Sequence, residues 1–361
     1  MKKKLLSVLM VLCLILAMAP AAMAEGDGDT AYTEWTSTTS LPAASGSYKL
    51  MNDVSMNSSV SYSRGSIVLD LNGHSITFTN ATKNSAAFYF YSNSSLTLED
   101  SVGGGKISND DSCGNYLVYI NGGNFTMTGG IIENAKSGGT ALYINSDCQA
   151  TISGGEVLNS ASRGEALFIN SSATVEMNQG TIKNTVDGGN AVYVNGSASF
   201  AMSGGSVIQE STYDSAAAID ANNSVVTINI SGGSIISNSK GIKAYFTPVT
   251  VTGGNFDTDG YTFFTRNLSV EPDSDSDVSV TSDTGVIYSL ADSANKISAG
   301  TFTAPYIVAP YTNSDISTLE ISGGTFNGLT KVEAQDTNTD ITITSGTFTN
   351  SEDKGCEDVN N

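Results

Sequence analysis

Between residues 116 and 207, hydrophobic and polar positions recur with a period of 25. Aligned on one glycine, the segments read LVYIN…FTMTGGII, ALYINSDCQATISGGEV, ALFINSSATVEMNQGTI and AVYVNGSASFAMSGGSV. Each holds three short runs rich in Val, Ile, Thr, Tyr and Phe, separated by Asn, Ser and Gly. That is the chemistry of strands and corners. Helical periodicity is missing, and the runs are too short for helices. A unit this small cannot bury its own apolar face, so repeats of this kind stack on one another. Three strands per 25 residues predict a right-handed, single-stranded parallel β-helix.

Side-chain facing follows from the two-residue period of a strand. In the second run, Phe125 and Met127, Val175 and Met177, Phe200 and Met202, and Ile228 and Ile230 alternate with Thr126, Glu176, Ala201 and Asn229. The apolar set points inward. In the third run, two residues after each anchor glycine, stand Ile107, Ile132, Val157, Ile182, Val207, Ile235, Phe256, Phe302, Phe326 and Phe348. This column is core throughout. Its change from aliphatic to Phe predicts a different cross-section in the later rungs. In the first run, Leu142 and Ile144 point in, which turns Tyr143 out. Its equivalents are Tyr119, Phe168 and Tyr193, then Ala218 and Lys243. A lysine in this column agrees with an outward facing, because an unpaired core lysine is expensive.

Asparagines stack in two columns: Asn121, Asn145, Asn170 and Asn195 after the first run, and Asn109, Asn134, Asn159 and Asn184, then Gln209, after the third. Amides so placed can hydrogen-bond from rung to rung. The anchor glycines fall at 105, 130, 155, 180, 205, 233, 254, 300, 324 and 346. The long interval from 254 to 300 fits two degenerate rungs or one rung with an insertion, and the acidic stretch Glu271 to Asp283 inside it reads as a loop. The Asn72-Gly73 turn reads as a corner within one rung. About 11 rungs are expected, in a rod roughly 50 Å long at ~4.8 Å per rung.

The ends of the chain change the picture of where the fold acts. Lys2, Lys3 and Lys4, the apolar run Leu5 to Ala19 and the small residues of Ala22-Met23-Ala24 predict a secretory signal peptide over residues 1–24, cleaved before Glu25. Residues 25–47 read as a flexible start and cap, with Trp35 over the first open edge, residues 48–350 as the β-helix, and 351–361 as a tail. The net charge is −20. Losing three leader lysines makes it −23, which disfavours nucleic acid and anionic lipid as partners. No later run is apolar enough to span a bilayer. Three cysteines remain, Cys113, Cys148 and Cys356, an odd number in different columns, which predicts neither a disulfide framework nor a CxxC metal site.

Leu69-Asp70-Leu71-Asn72-Gly73-His74 and the recurring S-G-G-x-[IVF] phrases resemble the pectin-lyase-like superfamily of parallel β-helices, over residues 48–350. The likeness is to its secreted bacterial repeat proteins without assigned activity. The superfamily also holds polysaccharide lyases, glycoside hydrolases, adhesins and tailspikes, so the resemblance implies a fold and leaves activity open. An enzyme of this kind would carry carboxylates with a basic partner on one outer face. Arg64, Arg163 and Arg266 sit in unrelated rungs, and Asp110-Asp111 lies in a turn with no matching charge in the neighbouring rungs. His74, the single histidine, reads as a corner residue.

The outward aromatic column Tyr119, Tyr143, Phe168 and Tyr193 is the binding candidate, since sugars present apolar C–H faces to rings. Stacked rings can also serve the sheet alone. Asp273, Asp275 and Asp277 alternate like ligands of a calcium loop. Val278 and Thr284 stand where an EF-hand needs Gly and Glu, and a solvated acidic loop competes. Outward threonines, Thr301, Thr303, Thr325, Thr347 and Thr349, form a short row of the type that can face ice, broken by Asn327. The sequence therefore predicts a secreted, non-enzymatic β-solenoid for adhesion or carbohydrate binding, with glycans or cell-surface macromolecules as partners and no cofactor beyond Ca²⁺. A polysaccharide lyase or glycoside hydrolase, and a spacer without a small ligand, are the alternatives.

Overall fold

Every described strand pairs in parallel with the strand one turn earlier or later, so the chain winds as a parallel β-solenoid of about 12 turns. The structure is a computed structural model, and it describes residues 31–223, 225–273, 277–310, 317–333 and 339–350. The solenoid starts at Tyr32. Its strands stack into three long sheets. The first runs from Val60–Tyr62 to Lys331–Glu333, the second from Thr33–Trp35 to Thr339–Ile343, and the third from Val54–Met56 to Thr347–Asn350.

The core lies between the three sheets and follows the alternation in the sequence. Phe125, Met127, Val175, Met177, Phe200, Met202, Ile228 and Ile230 are buried. So is the third-sheet column from Ile107 to Phe326. Phe348, on the last strand, is only partly covered. The late phenylalanines stack nearly parallel, Phe302 on Phe326 at 4.8 Å and Phe326 on Phe348 at 5.0 Å. Each fully buried side chain of this size contributes roughly 1.5–3 kcal/mol.

The corners explain the glycines. Asn72 and Gly73 both take left-handed backbone, with φ of 52° and 79°, between the strands Gly65–Asp70 and Ser75–Phe78 of one rung. Gly155 has φ of 76°, and a Cβ there would come within 2.5 Å of the Gly130 carbonyl oxygen one turn below. Only glycine satisfies both demands.

Three sequence expectations change. The stretch from 254 to 300 holds two rungs: Val278–Ser282 pairs with Gly254–Thr258 on one side, and its Ser279–Thr281 pair with Thr301–Thr303 on the other. The acidic stretch is therefore partly strand. Val280 fills the core between Phe256 and Phe302 there, and the glycine signal lapses because Val278 stands in register with Gly254. The second sheet also begins earlier than residue 48, because Thr33–Trp35 pairs with Tyr48–Leu50. Trp35 packs against the end of the core, its ring 5.8 Å from that of Tyr48.

The third change concerns the first sheet. Tyr193 pairs with Asp220, not with Ala218. Asn184 to Gln209 is a step of 25 residues and Val192 to Ile219 a step of 27, so two extra residues in the intervening turn shift the register. Ala218 is buried.

Candidate functional site

The outer face of the first sheet carries the chemistry. Register places Tyr89, Tyr119, Tyr143, Phe168, Tyr193, Asp220, Lys243, Phe264, Tyr288 and Ala309 in one column along the rod. The four predicted ring residues are consecutive in it. Their neighbours stand 4.7–4.8 Å apart, so the rings touch continuously from Tyr89 to Tyr193. Successive planes are tilted by 34° to 82°, which makes the surface a herringbone and not a flat strip. Tyr143 is the most covered of the four, at 9% exposure, because Tyr116 from the preceding rung packs on it at 4.4 Å. Tyr119, Phe168 and Tyr193 are half-buried. Burial pushes the Tyr119 and Tyr143 phenols up to about 12, so both remain protonated donors at neutral pH.

An amide ladder runs beside the rings. Asn145 donates to Asn121 at 2.9 Å, Asn170 to Asn145 at 2.9 Å and Asn195 to Asn170 at 3.1 Å. The amides also brace the phenols: Asn121 donates to the Tyr89 hydroxyl at 2.8 Å and Asn145 to the Tyr119 hydroxyl at 3.0 Å. The face thus offers ring edges bordered by ordered amides and phenols.

At the end of this stretch lies a charged group that sequence reading missed. Asp220 is 6% exposed, and its carboxylate accepts from Lys243 Nζ at 2.8 Å. Lys243 is outward, as expected, and it is paired. Burial raises the Asp220 carboxyl despite Lys243. Glu165 lies on the rung of Phe168, in register with Thr140. Burial, with the charge of Asp220 added, pushes its carboxyl up to about 7. The aligned repeats do display this glutamate, where Thr140 and Asn190 stand in the neighbouring rungs. Asp220 was hidden by the register shift.

The raised Glu165 fixes a pH dependence. Its folded value exceeds the ordinary 4.5, so its stabilising effect is complete below about 4.5 and is lost as pH rises through about 7. Unfolding free energy falls over that window by up to about 3 kcal/mol, less in proportion to solvent screening of a carboxyl that is not fully enclosed. Glu165→Gln removes that fall. Urea midpoints at pH 5 and pH 8 measure it, and equal slopes for both proteins contradict the assignment.

Beyond Lys243 the rings resume. Phe264 and Tyr288 stack at 4.6 Å with planes 8° apart, Tyr245 lies 5.3 Å from Phe264, and Tyr261 lies 5.1 Å from Tyr288. Tyr89, Tyr91 and Tyr116 extend the first stretch: Tyr89 and Tyr91 lie one rung before the regular repeats, and Tyr116 lies three residues before Tyr119 on the same strand.

The other candidates stay apart. Asp273 and Asp277 are exposed, and Asp275 lies outside the described residues. Among the described residues no group of three acidic, His or Cys side chains is arranged to hold a metal ion. His74 sits at the Asn72-Gly73 corner, 3.4 Å from the Asp53 carboxylate. Asp110 caps its own turn, accepting from the Ser112 backbone N–H at 3.0 Å. Cys113 and Cys148 are unpaired and buried, and burial pushes the Cys148 thiol up to about 12, which makes it inert. Thr301, Thr325 and Thr347 do align across three rungs of the third sheet. Among the described residues no helix is long and apolar enough to cross a membrane. No protein-family model matches this chain, and neither a curated protein nor a solved structure does.

Proposed function

We propose that this protein is a secreted, non-enzymatic β-solenoid whose first-sheet outer face binds carbohydrate, in the manner of an adhesin. One observation carries the reading: the unbroken column of rings from Tyr89 to Tyr193, bordered by the Asn121–Asn195 amide ladder. Ring edges and faces accept the apolar side of a pyranose, while ordered amides and protonated phenols meet its hydroxyls. The leader-like residues 1–24 support secretion, and the parallel winding with its S-G-G-x-[IVF] phrases supports a place in the pectin-lyase-like superfamily. Cell-surface glycans are the partners this reading assigns.

Glycan-array binding of the wild type and of the Tyr143→Ala/Tyr193→Ala variant tests it. The expected result is binding to a defined set of neutral glycans, reduced at least tenfold in the variant. Identical profiles would remove the aromatic face from the binding account. A hydrolase reading draws on one observation, the carboxyls of Glu165 and Asp220 on the same face. New reducing ends released from a bound glycan, and abolished by Glu165→Gln, would favour it over binding alone.

A further inference from the structure

We infer that the corner formed by residues 245–247 and the contracted turn at Arg266 builds a second subsite on this face, which takes a short oligosaccharide bearing an oxyanion, as a sulfate ester or a carboxylate. The inference rests on the carbohydrate-binding reading above and names the ligand class of that face.

The register shows how the subsite arises. Ala244 pairs with Thr265, and Pro248 with Asn267. Three residues, 245 to 247, lie between the paired positions in one rung, and a single residue, 266, in the next. The regular rungs hold four residues at this corner, 145–148, 170–173 and 195–198, so the corner at Arg266 is the contracted one, and it leaves the wider corner beside it uncovered. Thr247 is buried, and Phe246 is thrust into solvent at 46% exposure. A lone exposed phenylalanine is ordinary on a protein surface, and what sets Phe246 apart is a charged partner on its ring face.

Arg266 supplies one. Its guanidinium carbon lies 5.0 Å from the centroid of the Phe246 ring. Among the described residues it forms no ion pair, although the chain holds 36 acidic residues against 16 basic ones. Lys240 and Lys243 nearby are each matched by a carboxylate, Asp214 and Asp220. Arg266 Nε is moreover a buried donor without an acceptor, the one such side-chain atom among the described residues. A buried donor left unmet costs about 1–3 kcal/mol. Nε itself is closed to solvent, but Arg266 as a whole is only half-buried, and a guanidinium presents paired N–H groups that match two oxygens of an oxyanion.

The surroundings select a sugar over a bare anion. Half-buried Tyr245 lies 6.5 Å from Phe246 and 5.3 Å from Phe264, and Lys240 and Lys243 lie over Phe264 and Tyr245 at 5.6 and 5.7 Å. A pyranose resting on Phe246 and Tyr245 places a ring substituent at the guanidinium. The chain's net charge of −20 repels long polyanions, so short oligosaccharides are favoured.

Titration calorimetry of the full chain with three oligosaccharides of equal length, neutral, sulfated and carboxylated, tests the inference. At least one charged ligand is expected to bind ten or more times tighter than the neutral one. Arg266→Gln should erase that difference. Arg266→Lys should restore it in part. Either charged ligand supports the inference, and the tighter one identifies the anion. Unchanged affinity of the charged ligand in Arg266→Gln, with its thermal melt intact, overturns it. Neutral binding sensitive to Tyr143→Ala/Tyr193→Ala without a preference for charge overturns the subsite alone. Binding of none of the three overturns the subsite and the carbohydrate reading together.

Discussion

Replacing Asn159 by alanine is expected to destabilise the solenoid by about 3–5 kcal/mol, out of proportion to the atoms removed. Asn159 is fully buried in the second amide ladder. Its Oδ1 accepts from Asn134 at 2.8 Å, and its Nδ2 donates to Asn184 Oδ1 at 2.6 Å and to the Gly164 carbonyl at 2.9 Å. The ladder runs on from Asn109 through Asn184 to Gln209, which ends it on the carbonyls of Gly189 and Ala217. Every amide donates towards the next rung, so deleting one leaves a buried acceptor above it and a severed chain below. Each orphaned group costs about 1–3 kcal/mol in a site that water cannot reach. Asn170→Ala is the internal control. It lies in the half-buried outer ladder, where water replaces the lost partner, and about 1 kcal/mol is expected. Urea midpoints separate the two, and similar shifts for both variants would contradict the ladder as a source of stability.

Lys243→Met is the second large effect, expected at about 3–5 kcal/mol near neutral pH. The Lys243–Asp220 contact of 2.8 Å is largely out of solvent, and methionine keeps the volume while removing the charge. Asp220 is then a buried carboxylate without its partner, and its folded value rises further above the ordinary 3.8. A carboxyl raised on folding contributes stability below its unfolded value and loses it as pH rises through the folded value. The variant should therefore recover in mild acid, and by more than the wild type, whose Asp220 is raised less. Asp220→Asn added to Lys243→Met should restore most of the loss at neutral pH. Stability of the single variant that rises with pH would contradict the pairing.

The sequence displayed the parts of this molecule that repeat. The period of 25 gave the rung, two-residue alternation separated Leu142 and Ile144 from Tyr143, and the aligned asparagines marked both ladders. What the sequence concealed lies where the period slips. Two residues added before Ile219 moved Asp220 into the ring column and Ala218 out of it. Two residues fewer at the corner that Arg266 spans alone left Phe246 exposed under its guanidinium. Spacing carries no sign of which corner gains or loses residues, so these neighbours were not legible before the register was known. The tilt of the rings is also a packing outcome. Tyr116 fills the space beside Tyr143, and no linear pattern encodes that contact.

The central claim is that the first sheet's outer face is the ligand face. Its most direct test is a crystal structure of the protein soaked with an oligosaccharide that binds in solution. The account predicts sugar density against the outer face between Tyr119 and Tyr288. Density on the second or third sheet, with this face empty at a saturating concentration, would contradict it.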